Sequence, residues 1–444
     1  MDKPTIYICL EIKNREYESQ ILLAADAALR GYRVYLGTHA AVYALIKTKK
    51  SKNGIFLDKS TQPLDRMIWV RERCEALCVL DVELGPTILE SDLRGNFISR
   101  IYKDTEKLID KFMVVGPAVE QVAKEHFMQD RSKIIKTGWP RIDLWVKHGE
   151  LIHKDTIASI RDKYGDFLLF TSSFGIIRDP NLTGTLKNAD TINATSLNSI
   201  GTFDLQFSNF KKTIELIKEW DANLNVPAIV IRPHPAEPLS IWRRELGKLQ
   251  KTFIVSDGEV TPWILASLGI IHQGSTSAIQ AYYAKKPVLM LTELTNPAFK
   301  PVVSSISTYL LDSSSQFSGY NFSRIEKNPE FDPTFLNQTI FNPKDGSIKR
   351  IIDVFDELKV RPISHHRRAP LLMSQLSRKS LRRVVGLLRD EIYWNLGKTN
   401  INSQLHFVPG GLDKKRIKMV LKIDSEFSKV NYRRMTINLW EFDA

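Results

Sequence analysis

The chain has 444 residues, a length that implies two or three domains. It is 43% hydrophobic and 25% charged, which excludes disordered, collagen-like and disulfide-scaffold classes. No run approaches the roughly 18 to 20 apolar residues that cross a bilayer. The apolar run Ile6–Leu10 is too brief for a signal segment, because Glu11 follows at once. The sequence therefore reads as that of a cytoplasmic protein. Cys9, Cys74 and Cys78 fit a reducing compartment. The four-residue spacing of the last two suits one helix face. No second Cys or His pair completes a zinc site, so buried thiols are expected. The net charge is +13 and uneven: residues 361–444 carry 17 Lys+Arg against 7 Asp+Glu, which is +10, and the rest of the chain holds +3. A basic tail on a near-neutral body points to a polyanionic partner, a membrane surface or a nucleic acid.

In chain order, TIYICLEI reads as a strand and YESQILLAADAALRG as an amphipathic helix closed by Gly31. YRVYLGT, GIFLDKS, EALCVLDVE, KFMVVG and SKIIKTG are further strands with helical stretches between them. A polar stretch over 147–166 marks a domain boundary. A second alternation follows: strand FLLFT, an Asn/Thr/Ser/Gly-rich loop over 175–203, helix FSNFKKTIELIKEW, then strands AIVI, FIVSD, GII and PVLMLT separated by helices. A loop of that length inside a compact domain is usually functional or mobile. Strands alternating with helices predict parallel sheets covered on both faces. Two such Rossmann-like domains of this size, facing a cleft, make the α/β GT-B architecture. The expected division is 1–155, 156–360 and a basic C-terminal helical extension over 361–444, facing a membrane or packing on the first domain.

In open α/β sheets ligands bind outside the carboxyl ends of the strands, so those ends carry the functional weight. Arg232-Pro233-His234-Pro235 follows strand AIVI. Two prolines force a turn that presents a guanidinium and an imidazole, groups suited to a phosphate or a nucleotide carbonyl. His272-Gln273-Gly274-Ser275-Thr276-Ser277 lies between strand GII and the next helix. Gly274 permits close backbone approach, and Ser275, Thr276 and Ser277 fall at a helix start that favours an anion. Simple N-capping is the bland alternative. Gln280, one turn on, is in reach of a ribose hydroxyl. Neither motif is a Walker loop or a dinucleotide fingerprint. Glu11, Lys13, Arg15 and Glu16 follow the first strand, and Lys59, Asp81, Glu83, Arg141 and Asp143 stand at other strand ends. Asp179, Asp190 and Asp204 lie in the long loop and at the following helix start, where Asp204 is either a cap or a cleft carboxylate.

ExKxRE, LRGYRVYLG, GIFLDKS, GWPRIDLW, VIRPHP and HQGSTSAIQAYYAKKPVLML, in that order over about residues 5–300, resemble the bacterial surface carbohydrate biosynthesis family. LHFVPGG near residue 407 echoes a further family segment. The family includes GT-B retaining β-Kdo transferases of lipopolysaccharide and capsule assembly. It usually has an acidic residue where this chain has Gln280, and an Asn-Thr-Asn-Phe run where it has Thr171–Phe174. The resemblance implies His234 and Pro235 at a CMP nucleotide, Ser275–Ser277 near its phosphate, and a nucleophilic aspartate in the long loop, best matched by Asp204 with Asp190 and Asp179 behind it. Glu16 or Glu11 is then expected to handle the acceptor proton. The expectation is a nucleotide-sugar-dependent glycosyltransferase, moving Kdo from CMP-Kdo to a glycan or lipid-linked glycan. It would need no metal or other cofactor, bind no nucleic acid, and sit peripherally on the inner membrane through its basic tail. Transfer of a polyol phosphate from a CDP-linked donor is the nearest alternative. A non-catalytic membrane- or nucleic-acid-binding protein is a third, without a zinc-finger or RRM-like motif to support it.

Overall fold

Fourteen strands form two separate sheets in the computed structural model, which describes residues 3–49, 52–82, 90–174, 198–234, 237–256, 258–294, 305–311, 334–361, 412–436 and 438–444. The first sheet holds β1 (Thr5–Leu10), β2 (Arg33–Thr38), β3 (Ile55–Asp58), β4 (Ala76–Asp81), β5 (Lys111–Val114) and β6 (Ile134–Lys136). The second holds β7 (Phe167–Thr171), β8 (Ala228–Arg232), β9 (Thr252–Ile254), β10 (Gly269–His272), β11 (Val288–Leu291) and β12 (Tyr309–Leu311). All neighbours within these two sets are parallel. Every residue of β1, β4 and β7 is buried, as parallel strands covered on both faces require. Two Rossmann-like α/β units, the pair from which a GT-B protein is built, are therefore present.

The first sheet runs β13-β14-β2-β1-β3-β4-β5-β6 and the second β12-β11-β10-β7-β8-β9. In the first, the chain steps outward from β1 to β2 and then returns to β3 on the other side of β1. In the second it steps from β7 through β8 to β9 and returns to β10 on the other side of β7. The strand order thus reverses between β1 and β3, and between β7 and β10. Those reversals open a crevice above the carboxyl ends of the paired strands.

The described residues divide into one unit of 3–153, 334–361 and 412–444 and another within 154–311. The first unit gives way to the second after His153. The second unit ends earlier than the expected residue 360, because residues 334–356 return to the first sheet. Phe341 N–H donates to Val115 O at 2.8 Å. Asp143 accepts the N–H groups of Ser347 and Ile348 at 2.9 and 2.8 Å and so caps the helix Ser347–Asp356. Two glycines make room for this return. A Cβ on Gly116 would lie 1.8 Å from Thr339 O, and Gly138 has φ +86° beside Phe341. Asp143, a candidate site residue from its strand-end position, is thus a helix cap. Arg141 lies over the rings of Trp139 and Trp145.

The C-terminus supplies β13 (Asn431–Thr436) and β14 (Leu439–Asp443), a hairpin whose second strand pairs antiparallel with β2. Leu439, Trp440 and Phe442 are buried there, and Trp440 Nε1 donates to Leu412 O at 2.9 Å. The helix Lys414–Leu421 lies on the first helix, Lys13–Leu29. Lys13 pairs with Asp413 at 3.0 Å and Arg416 with Glu18. Packing on the first unit is therefore what the described residues after 411 do. Residues 362–411, with the amphipathic basic segment, lie outside the described residues.

Cys9, Cys74 and Cys78 are buried free thiols. Cys78 stands in β4 and Cys74 in the turn before it, so the helix-face spacing does not describe them.

Candidate functional site

At the reversal in the second sheet, the ends of β10, β7 and β8 stand side by side. Each is followed by one of the polar segments singled out above: His272–Ser277 after β10, Thr171–Phe174 after β7, and the Arg-Pro-His-Pro turn after β8. The three are stitched together. Ser173 Oγ donates to Gln273 O at 3.2 Å across the reversal. Ser172 Oγ accepts the His234 N–H at 2.9 Å.

Arg232 leaves the strand with its guanidinium over the Trp263 ring, 5.3 Å from the centroid, and donates to Gly258 O at 2.8 Å. Stacking on an aromatic face suits the planar guanidinium. His234 is exposed. Its carbonyl accepts the Glu237 N–H at 2.8 Å, which closes the turn that two prolines demand. Pro235 lies outside the described residues.

His272 is fully buried, and burial pushes its imidazole down to about 3, so the ring is neutral. Nδ1 accepts the Gly274 N–H at 3.1 Å, which leaves Nε2 as the donor to Ser307 Oγ at 3.2 Å. This histidine holds the turn rather than reacting. Gly274 takes φ +98°, a conformation natural to glycine. Ser275 Oγ accepts the Ser277 N–H at 3.3 Å and donates to Ser277 Oγ at 3.2 Å, while Thr276 is exposed. The capping alternative is thus partly realised by Ser275. Gln280, expected within reach of a ribose hydroxyl, has an interior partner. It is buried, and its Nε2 donates to Thr261 Oγ1 at 2.6 Å, which in turn donates to Glu259 at 2.9 Å.

Asp204 lies in the helix Asn198–Ala222, which begins nine residues earlier than the periodicity indicates. It is the seventh residue of that helix and so not its cap. Asp179 and Asp190 lie outside the described residues.

The residue that sequence reasoning passed over is Glu237. It is 3% exposed and accepts from Ser172 Oγ at 2.5 Å, Phe174 N–H at 2.6 Å and Trp242 Nε1 at 2.9 Å. Burial pushes its carboxyl up to about 7 against the pull of these donors. The available signal was an acid directly after a double-proline turn and five residues before a tryptophan.

The first unit has its own polar cluster at its reversal point. Lys59, just after β3, places Nζ 2.6 Å from Glu11 Oε2 and 2.9 Å from Glu16 Oε1. Glu16 Oε2 also accepts the N–H groups of Glu11 and Ile12 at 3.2 and 3.4 Å, so it braces the entry to the first helix. Glu11 keeps 28% of its side chain exposed against 8% for Glu16. Alongside, Asp58 accepts from His39 Nε2 at 2.8 Å, and Arg100 contacts Asp81 through two 3.2 Å bonds. Burial would lower the His39 imidazole, but the hydrogen bond and charge of Asp58 outweigh it and raise it. Glu83 lies outside the described residues. Among the described residues no group of three His, Cys, Asp or Glu side chains is arranged to hold a metal, and no helix is long and apolar enough to cross a membrane.

No family model and no curated protein sequence matches this chain. Among solved structures, similarity extends to the wall teichoic acid polymerase TagF in its H548A form, with 11% identity over 79% of this chain and 88% of that one and a TM-score of 0.48. It extends to the UDP-GlcNAc 2-epimerase of Methanocaldococcus jannaschii, with 14% identity over 79% and 99% and a TM-score of 0.47. The S. aureus MnaA–UDP structure is similar at 12% identity over 80% and 96%, with a TM-score of 0.48. The two Rossmann-like units are established by the sheet orders and parallel registers of this chain itself.

Proposed function

We propose that this chain is a nucleotide-dependent transferase of bacterial surface polymer assembly, moving Kdo from CMP-Kdo, with retention, onto a glycan or lipid-linked glycan. The observation that carries the reading is the gathering of three polar loops at one reversal of the second sheet, with Arg232, His234 and the Gly274–Ser277 turn on adjacent strand ends. A guanidinium, an exposed imidazole and a hydroxyl-rich turn suit a nucleoside phosphate. They would neutralise charge on the leaving phosphate without a metal. The cytidine base and the Kdo sugar rest on the family resemblance of the motifs.

In this reading the Asp204 carboxylate attacks the anomeric carbon while the bond to the CMP phosphate oxygen breaks and CMP leaves. The acceptor hydroxyl then displaces Asp204 from the same carbon, and Glu11 or Glu16 takes its proton. Two inversions at one carbon give retention. Asp204→Asn should abolish transfer and leave CMP binding intact. Near-wild-type turnover would move the assignment to Asp190 or Asp179, or end the double displacement. The enzyme works at the cytoplasmic face of the inner membrane, held there by the basic segment within 367–389.

The Arg-Pro-His-Pro turn and the hydroxyl-rich start of the helix after β10 also suit a second reading: transfer of a polyol phosphate from a CDP-linked donor. Phosphorus in the polymeric product separates the two. The first test is a thermal-shift series with CMP, CDP, UDP and GDP. Stabilisation by the cytidine nucleotides is expected. A shift with UDP or GDP and none with CMP or CDP overturns both readings.

A further inference from the structure

Glu237 is an acid at the interior end of the nucleotide-binding loops, and no step proposed above uses it. Its two oxygens accept from a side-chain hydroxyl, a backbone amide and an indole, drawn from two separate segments of the second unit. Ser172 Oγ and Phe174 N–H come from the loop after β7, at 2.5 and 2.6 Å, and Trp242 Nε1 comes from the helix Leu239–Leu246, at 2.9 Å. Ser172 passes the connection on. Having donated its proton to Glu237, its oxygen accepts the His234 N–H at 2.9 Å. The neighbouring Ser173 ties the same loop to Gln273 O, at the root of the Gly274–Ser277 turn. One buried carboxylate therefore braces the loop that stands between the two loops assigned to the nucleotide.

We infer that Glu237 is a positioning residue of the donor site: through Ser172 it sets the backbone of the His234 turn in the conformation that receives the nucleotide. The inference rests on the nucleotide reading for its consequence, but not for its geometry. A carboxylate, the form Glu237 takes above about pH 7, is suited to the task because it is acceptor-only and takes three donors at once. An amide in its place offers one acceptor oxygen and turns two N–H donors toward groups that themselves donate. A leucine offers none and leaves the Ser172, Phe174 and Trp242 donors unsatisfied in a buried site. Trp242 is itself packed, with Phe170, Phe174 and Phe210 around its indole. The carboxylate is thus anchored on the core side and free to act only on the loop side.

Two substitutions test this in the full chain. Glu237→Gln leaves one acceptor oxygen for three donors and puts an N–H₂ group where the second oxygen stood. Ser172→Ala keeps the carboxylate's contacts with Phe174 and Trp242 and the backbone bond from Glu237 N–H to His234 O, and cuts only the hydroxyl link to the His234 N–H. Two measurements are read on each: the hydrogen-exchange protection of the His234 amide, and the dissociation constant for CMP and CDP below the melting transition. Both variants should lose His234 protection at least tenfold and bind the nucleotide at least tenfold more weakly. The double variant should lose no more than the larger single effect, because both changes cut one chain of contacts. Ser172→Thr, which keeps the hydroxyl, should restore protection and affinity, which a merely structural loss of packing would not allow. If Ser172→Ala keeps both wild-type protection and wild-type affinity, the inference is overturned. If His234 protection falls but the wild-type chain binds no cytidine nucleotide, the positioning holds and the nucleotide reading is what fails. If Glu237→Gln does not fold, Ser172→Ala decides alone.

Discussion

Glu237 titrates close to neutral pH, and that gives the second unit a pH dependence of definite sign. Burial raises its carboxyl from the ordinary 4.5 to about 7. Between those values the folded chain holds a proton that the unfolded chain has released. The stability this group contributes is therefore full below about 4.5 and is lost as pH rises through about 7. Urea midpoints measured from pH 5 to 8 should fall less steeply in Glu237→Gln than in the wild type. Equal slopes would show that the acid does not titrate in this range. His234 makes the opposite kind of prediction. Its side chain is exposed, so His234→Ala should leave the stability of the free protein within about 0.5 kcal/mol of wild type. It should remove most of the stabilisation that saturating CMP gives. A variant that melts early without nucleotide would mean the imidazole supports the turn instead of the ligand.

Among the elements, the helix Ser347–Asp356 depends on a cap from far away in sequence. Asp143 satisfies two of its buried amides. Asp143→Ala should cost about 1 to 3 kcal/mol by leaving them unpaired, read as a lower urea midpoint with no change in nucleotide affinity. The entry to the first helix separates two acids that look equivalent in sequence. Glu16 has both oxygens engaged, by Lys59 and by two backbone amides. Glu16→Gln should therefore lower stability by about 1 kcal/mol or more. Glu11, the more exposed acid, should act mainly on turnover. Glu11→Gln is expected to cut transfer at least tenfold with little loss of stability. The reverse ranking, measured by denaturation and by product formation, would exchange the two roles.

For the whole molecule, the C-terminal hairpin decides how the basic tail can be studied. β14 covers the β2 edge and buries Leu439, Trp440 and Phe442, and an uncovered edge of this kind invites aggregation. Truncation after Val360 should therefore yield little soluble folded protein. The membrane proposal is better tested in the full chain by Arg378→Gln, Lys379→Gln, Arg382→Gln and Arg383→Gln together. Each basic residue near an anionic surface is worth roughly 1 kcal/mol. The four-fold variant should sediment with anionic vesicles markedly less than wild type at low salt. Undiminished sedimentation would remove the tail from the membrane proposal.

The sequence alone determined the local pattern. Apolar runs such as Ile6–Leu10 and Leu77–Leu80 read as buried strands because parallel strands have no solvent face. The turns after β8 and β10 were legible because proline and glycine act through their own backbones, whatever surrounds them. The buried thiols were legible because no second Cys or His pair completes a zinc site. Tertiary structure decided what depended on partners distant in the chain. Asp143 meets Ser347 across some two hundred residues, Trp440 completes a sheet begun at Thr5, and Gln280 spends its amide on Thr261. No periodicity encodes such meetings, since a side chain's local sequence says nothing of which loop will stand opposite it. Glu237 is the clearest case. In sequence it is one acid among fifty acidic residues. Its burial at the meeting of β7, β8 and the helix Leu239–Leu246 is what gives it three donors, a raised carboxyl and a place in the site.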